Sequence, residues 1–171
     1  MNEAVAVPVP VASSLHEASQ RADFADCYEI ALTRTDLDAE ALYRAVLAGG
    51  MPGWVEPLMR LRNKLAPLFG ARPVEPFDLA AEAKAMSGKP AGPFRFYSRN
   101  ADEVVAGDDD RHLDFRLGLL KAVRDGVARL TLTTVVTFRN RRGRLYLLMV
   151  LPFHKLIVRT SLRNAARNGL I

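Results

Sequence analysis

The feature that most constrains the fold is a run of alternating apolar and polar residues between positions 111 and 138. In RHLDFRLGLL (111–120) the apolar side chains occupy every second position from Leu113 to Leu119, and VARLTLTTVVTF (127–138) alternates in the same way. The dipeptide Asp125-Gly126 between the two runs favours a two-residue hairpin turn. The pattern predicts an antiparallel hairpin with one apolar face, which a second layer has to cover.

The rest of the chain predicts helices before this hairpin and further strands beside it. DCYEIALT (26–33) is typical of a strand, and FRFYS (94–98) and EVVAG (103–107) predict two more. A helix capped by Thr35 or Asp36 should end at Gly49-Gly50, and a second should begin at Trp54 and end or kink at Pro67. Residues 70–93 are rich in Pro, Ala and Gly, so we expect a variable or mobile excursion there.

The last stretch, GRLYLLMVLPFHKLIVRTSLRNAARNG (143–169), predicts a long C-terminal helix that contains Pro152 and stops at Gly169. An alternative places a strand at 144–150 and begins the helix at Pro152. Its longest apolar run has 14 residues and already includes a proline, a histidine and a lysine. A bilayer span needs about 20 predominantly apolar residues, so we predict no transmembrane segment.

Composition indicates one globular domain. The chain has 171 residues, of which 49% are hydrophobic and 25% charged. We predict a mobile N-terminal tail over residues 1–22, whose short apolar run is interrupted by Pro8 and Pro10, and a single domain over 23–171. The only cysteine, Cys27, excludes an internal disulfide and favours a reducing compartment, so we expect a cytoplasmic protein.

The charge is unevenly distributed along the chain. Residues 126–171 carry nine Lys or Arg and no acidic residue, whereas residues 1–125 carry 15 basic and 19 acidic residues. A spacing of 100° per residue places a basic stripe on one side of the C-terminal helix, formed by Lys155, Arg159, Arg163 and Arg167. The stripe is either a solvated face or a contact for an anionic surface or partner. Nucleic acid is disfavoured because few aromatic residues stand near it for base stacking.

Three stretches carry a resemblance to a known family: WVEPLMRLRNKL, DDRHLDFR and GRLYLLMVLPFHKLIV. Over residues 23–168 they resemble an uncharacterised bacterial domain-of-unknown-function family, whose members occur alone or fused behind NAD-binding, epimerase-like domains. The resemblance implies an α+β, START-like helix-grip fold of the polyketide-cyclase superfamily, in which a curved antiparallel sheet wraps around a long C-terminal helix. It implies no reaction. A full helix-grip sheet has seven strands, and the missing ones would lie in 70–93 or 139–150.

The first group of candidate site residues is His112, Asp114 and Arg116, which alternate onto the polar face of one predicted strand. If that face lines a cavity, the trio would recognise a polar group of a ligand. If it faces solvent, the trio is a surface ion-pair row of little energetic value. His112 with Asp114 would also supply proton transfer for a cyclase- or dehydratase-like enzyme.

The second group lies on the predicted helices. His154 falls on the apolar side of the C-terminal helix, either as a core histidine or facing a pocket with Ser161. Seven helical residues separate the two by about 10 Å, which excludes a Ser–His pair for nucleophilic catalysis. Trp54 and Leu58 of the second helix should stand near the pocket entrance, and Cys27 should be packed rather than reactive.

The triplet Asp108, Asp109 and Asp110 predicts a solvated turn rather than a metal site, because adjacent residues of an extended chain point in alternating directions. There is no Gly-x-Gly-x-x-Gly stretch, and we expect neither metal nor cofactor. The leading functional hypothesis is binding of a small apolar or amphipathic ligand in a cavity between the sheet and the C-terminal helix. The alternatives are an interaction module that uses the basic stripe, and the enzyme described above.

Overall fold

A computed structural model describes residues 3–50, 52–65, 67 and 94–171. The strands are β1 (Val5–Ala6), β2 (Phe24–Ala31), β3 (Arg95–Arg99), β4 (Glu103–Asp109), β5 (Leu113–Arg124) and β6 (Val127–Phe138). The helices are α1 (His16–Arg21), α2 (Ala39–Gly50), α3 (Val55–Leu65) and α4 (Arg141–Arg167). The predicted excursion at 70–93 lies outside the described residues.

The six strands form one antiparallel sheet in the order β1-β2-β6-β5-β4-β3. Strands β3 to β6 follow one another as a meander, and β2 pairs with the last strand, β6. The predicted hairpin is confirmed, because Asp125 and Gly126 both have positive φ, 54° and 73°, as a tight turn between twisted strands requires. The α+β class with an antiparallel sheet and a C-terminal helix is therefore confirmed.

The helix α4 is continuous from Arg141 to Arg167 with Pro152 inside it, so the alternative strand at 144–150 is wrong. Its first turn is capped by Asn140, whose side chain accepts hydrogen bonds from the backbone N–H groups of Arg142 and Gly143. The predicted cap of α2 is also wrong: Asp38, not Thr35 or Asp36, accepts a hydrogen bond from an N–H of its first turn.

The inner face of the sheet packs against α2 and α4. Over the C-terminal half of α4, Leu119, Leu130 and Leu162 are fully buried beside Tyr43 of α2. The N-terminal half covers a second cluster in which Leu113, Val136 and Tyr146 are buried. Six apolar side chains around that cluster are only partly buried: Phe24, Phe115, Phe138, Leu147, Met149 and Val150.

The outer face of the sheet is crossed by the N-terminal segment. Leu15 is buried there with Val105 and Val135, and it lies over Gly118 so closely that an added Cβ would come within 2.7 Å of its side chain. The buried carboxylate of Glu103 accepts hydrogen bonds from the Ser13 hydroxyl and the Ser14 N–H. In the structure this part of the predicted tail packs against the sheet, with Ala4, Ser13 and Leu15 buried and with buried hydrogen bonds of its own.

Candidate functional site

The candidate site is built around His112, which lies in the turn between β4 and β5. The turn is closed by a hydrogen bond from the Asp110 N–H to the Leu113 carbonyl, so His112 stands outside the strand. Its side chain is only 3% exposed and meets the ring of Tyr146 of α4 edge to face, with ring centroids 5.1 Å apart. The helix can approach this closely because Gly143 has no side chain, and an added Cβ would overlap the His112 carbonyl.

The polar groups around His112 come from its own turn and from the helix α3. Asp110 Oδ2 lies 3.4 Å from His112 Nδ1, and Arg62 of α3 donates a hydrogen bond from Nε to the Tyr146 hydroxyl at 2.7 Å. The Arg62 guanidinium also lies over the Tyr146 ring, 5.6 Å from its centre. We refer to Arg62, Asp110, His112 and Tyr146 as the His112 cluster.

Burial decides the charge of His112. It lowers the pKa of the imidazole below its ordinary value of 6.5, Arg62 lowers it further, and the Asp110 carboxylate opposes both. The ring is therefore neutral at pH 7. Neither ring nitrogen makes a well-formed hydrogen bond within the described part of the chain, and Nδ1 stands at the longer ion-pair distance from Asp110.

Asp114 and Arg116 do not join His112. Because His112 lies before β5, the alternation that begins at Leu113 puts these two residues on the outer face. Asp114 accepts a bifurcated hydrogen bond from the Arg139 Nε–H through both carboxylate oxygens, and Arg116 binds Asp109 at 2.7 Å and lies 3.6 Å from the centre of the Tyr97 ring. Their positions match the surface ion-pair alternative, and the proposed His112–Asp114 proton-transfer pair is not brought together.

His154 forms a second histidine–aspartate pair on the inner face. Its Nε2 lies 3.2 Å from Asp26 Oδ1, and its ring meets Phe24 edge to face at 6.2 Å. Both side chains of the pair are mostly buried, at 19% and 13% exposure. His154 is therefore neither a simple core histidine nor free, because a carboxylate from β2 holds it at the edge of the partly buried apolar cluster.

The remaining predicted residues are dispersed. Ser161 is buried in α4, Leu58 is half-buried in α3, and Trp54 is 40% exposed just before α3. Cys27 is buried on the outer face, where it accepts a hydrogen bond from the Thr133 hydroxyl and burial raises its thiol pKa. It is not brought to His112.

The three stretches quoted for the family resemblance meet at the His112 cluster: Arg62 comes from the first, Asp110 and His112 from the second, and Tyr146 from the third. The model of the family described as protein of unknown function, DUF2867, matches residues 18–161. The chain belongs to the DUF2867 family. Searches of curated proteins and of solved structures found no match.

In this DUF2867 chain the aspartate triplet has three different roles. Asp108 accepts a hydrogen bond from its neighbour's N–H, Asp109 pairs with Arg116 on the outer face, and Asp110 turns towards His112. Within the described residues, no group of three or more His, Cys, Asp or Glu side chains is arranged to hold a metal ion.

Sequence reasoning missed the two partners of the histidine pairs, Asp26 and Asp110, and the two other members of the His112 cluster, Arg62 and Tyr146. Asp110 had a local signal, since it stands two residues before His112. Arg62 and Asp26 are separated from their partners by 84 and 128 positions, so no spacing in the sequence relates them. The basic stripe of the DUF2867 chain is present on α4, with Lys155, Arg159 and Arg167 exposed and Arg163 half-buried.

Proposed function

We propose that this protein is a helix-grip domain that binds a small amphipathic molecule on the inner face of its sheet, beside the N-terminal half of α4. The strand order supports the helix-grip assignment, because the first long strand pairs with the last one and a meander lies between them. The terminal helix crosses the face that this sheet presents.

The observation that carries the proposal is the contrast between the two ends of the inner layer. Among the described residues, the cluster at the C-terminal half of α4 has 18 buried side chains and eight partly buried ones, whereas at the other end three side chains are buried and six apolar ones are only partly buried. We call this second region the trough; it is formed by Phe24, Phe115, Phe138, Leu147, Met149 and Val150. Partly buried aromatic and aliphatic side chains gain free energy when a ligand removes them from water.

The two histidine–aspartate pairs stand beside the trough and give it polar ends. His112 packs edge to face on Tyr146, and His154 packs edge to face on Phe24; Tyr146 and Phe24 both belong to the apolar cluster of the trough. A neutral imidazole can donate and accept one hydrogen bond, and Arg62 supplies a positive charge. An apolar body with a hydroxyl or carboxylate head fits this combination best.

The test is native mass spectrometry of freshly purified protein for a retained small molecule, followed by titration with decanoate and decanol. We expect binding to shift the NMR signals of the Met149 methyl group and the His112 ring together. Decanoate should bind more tightly than decanol, because Arg62 and the imidazole N–H favour a carboxylate.

Two tryptophan substitutions on adjacent residues of α4 provide the matched comparison. Met149→Trp fills the trough and should weaken decanoate binding by about tenfold or more. Leu148→Trp adds the same ring to an exposed position and should leave binding unchanged. If no molecule is retained and neither probe shifts the two signals, or if both variants bind equally well, the proposal is wrong.

A further inference from the structure

The outward side of α4 is unusually apolar for a protein surface. Four large side chains of its N-terminal half and centre are between 43% and 60% exposed: Leu145, Leu148, Phe153 and Leu156. Phe153 lies outside the buried arc of the helix, which includes Val158, Leu162 and Ala165. A contiguous apolar patch of this kind on a soluble domain usually marks a contact site.

The same side of the helix becomes basic towards its C-terminus. Lys155, Arg159 and Arg163 line an open depression of about 340 Å³ together with Pro152, Leu156 and Thr160. In the described part of the chain no carboxylate pairs with Lys155, Arg159 or Arg163. The charges are therefore available to an anionic partner.

The apolar part lies towards the N-terminal end of α4 and the basic part towards its C-terminal end, and the two meet at Lys155 and Leu156. At 1.5 Å per residue, Leu145 to Leu156 spans about 17 Å and Lys155 to Arg167 about 18 Å. A helix that lies at a bilayer surface places apolar side chains at the acyl boundary and lysine or arginine at the lipid phosphates. With a mean hydropathy of 1.4 over 18 residues, α4 would also be long and apolar enough to cross a membrane. Its opposite side, however, packs on α2 and the sheet.

We propose that the outward side of α4 docks this protein onto an anionic membrane surface, with the helix lying on the bilayer rather than crossing it. Charge complementarity favours an anionic membrane over a second copy of the chain as the partner of this surface. The outward side of α4 carries Lys155, Arg159 and Arg163, and α4 contains no acidic residue, so a second copy of the chain packed on this side would bring like charges together across a two-fold interface. The docking surface and the trough share no side chain, so the two proposals can be tested independently.

The experiment is co-sedimentation of the full chain with vesicles of phosphatidylcholine, with and without phosphatidylglycerol. We expect binding to the anionic vesicles only, and weaker binding as salt is added. Arg159→Gln with Arg163→Gln should weaken binding roughly twenty-five-fold, at about fivefold for each charge. Leu148→Ser with Leu156→Ser should weaken it by about tenfold or more.

Matched double variants at other exposed positions are the controls. Val11→Ser with Val123→Ser removes comparable exposed apolar surface, and Arg21→Gln with Arg34→Gln removes two exposed charges. Both should bind like the unaltered protein. Absence of binding to anionic vesicles would overturn the proposal, as would equal losses in the controls. A dimer in sedimentation that only the α4 variants dissociate, without vesicle binding, would identify a second copy as the occupant instead.

Discussion

At the start of α4 a single glycine sets the distance between helix and sheet. Gly143 passes so close to the His112 carbonyl that a Cβ would overlap its oxygen, and the oxygen belongs to backbone that is itself hydrogen-bonded to the Arg139 N–H. Neither partner can move without breaking the turn that carries His112. The edge-to-face contact of His112 with Tyr146 depends on this approach.

We predict that Gly143→Ala destabilises the protein by about 2–3 kcal/mol, even though alanine favours helix by about 1 kcal/mol over glycine, because the overlap forces helix and turn apart. The measurement is urea unfolding at neutral pH. Gly53→Ala is the matched control, since no atom lies within 4 Å of a Cβ added there. Equal stability of the two variants would contradict the close approach.

Among the elements, the N-terminal segment depends on a buried carboxylate. Glu103 is 5% exposed and accepts hydrogen bonds from the Ser13 hydroxyl at 2.7 Å and the Ser14 N–H at 3.1 Å. A buried carboxylate is costly unless such donors satisfy it. Glu103 therefore couples the chain immediately before α1 to the start of β4, next to the contact between Leu15 and Gly118.

We predict that Glu103→Ala releases the N-terminal segment, because Ser13 and Ser14 lose an acceptor in a buried site, at a cost of about 1–3 kcal/mol. Limited trypsin digestion measures the release as faster cleavage after Arg21. Glu56→Ala removes an exposed carboxylate that pairs with Arg60, and it should leave cleavage at Arg21 unchanged. An unchanged rate in Glu103→Ala would show that the apolar contacts alone hold the segment.

For the molecule as a whole, buried titratable groups set limits to stability on both sides of neutral pH. Unfolded His112 binds a proton near pH 6.5, but the folded imidazole does so only at lower pH, so protons favour the unfolded chain. Stability should fall as the pH decreases from 6.5 through the folded pKa. Burial raises the pKa of Cys27 above 9.0 and of Tyr28 and Tyr97 above 10.0. Stability should therefore also fall as the pH rises through these folded values.

We predict that His112→Gln flattens the acidic part of this profile, so that the urea midpoint changes little between about pH 6.5 and about pH 5. His16→Gln, a matched change at a partly exposed histidine of α1, should retain the slope of the unaltered protein. NMR titration of the His112 ring in the unaltered protein gives an independent measurement. A ring that titrates above pH 6.5 would contradict the prediction.

Much of the architecture was predictable because it rests on local patterns. The period-two alternation and Asp125-Gly126 determine the β5–β6 hairpin, and the apolar arc of residues 143–169 determines a helix that continues through Pro152. His112 was misplaced because the alternation was extended one residue beyond the strand, where the turn reverses the side chain to the inner face.

The site could be predicted only in part, because its contacts are long-range. His112 and His154 were identified from the sequence, but their aspartate partners and Arg62 depend on how α3, β2 and α4 pack. The same holds for the N-terminal segment. Its proline-containing apolar run predicts a tail, and nothing local indicates that Leu15 fits over Gly118, about 100 positions away.

Pro152 has a consequence for the shape of α4. A proline has no N–H to offer the carbonyl four residues earlier, so the Leu148 carbonyl lacks its helical partner, and both residues are on the exposed side. Water can hydrate that carbonyl without entering the core. A helix relaxed on its outer side in this way bends towards its inner side. A bend at this proline thus allows the 27-residue helix α4 to follow a twisted sheet and to cover two separate apolar clusters.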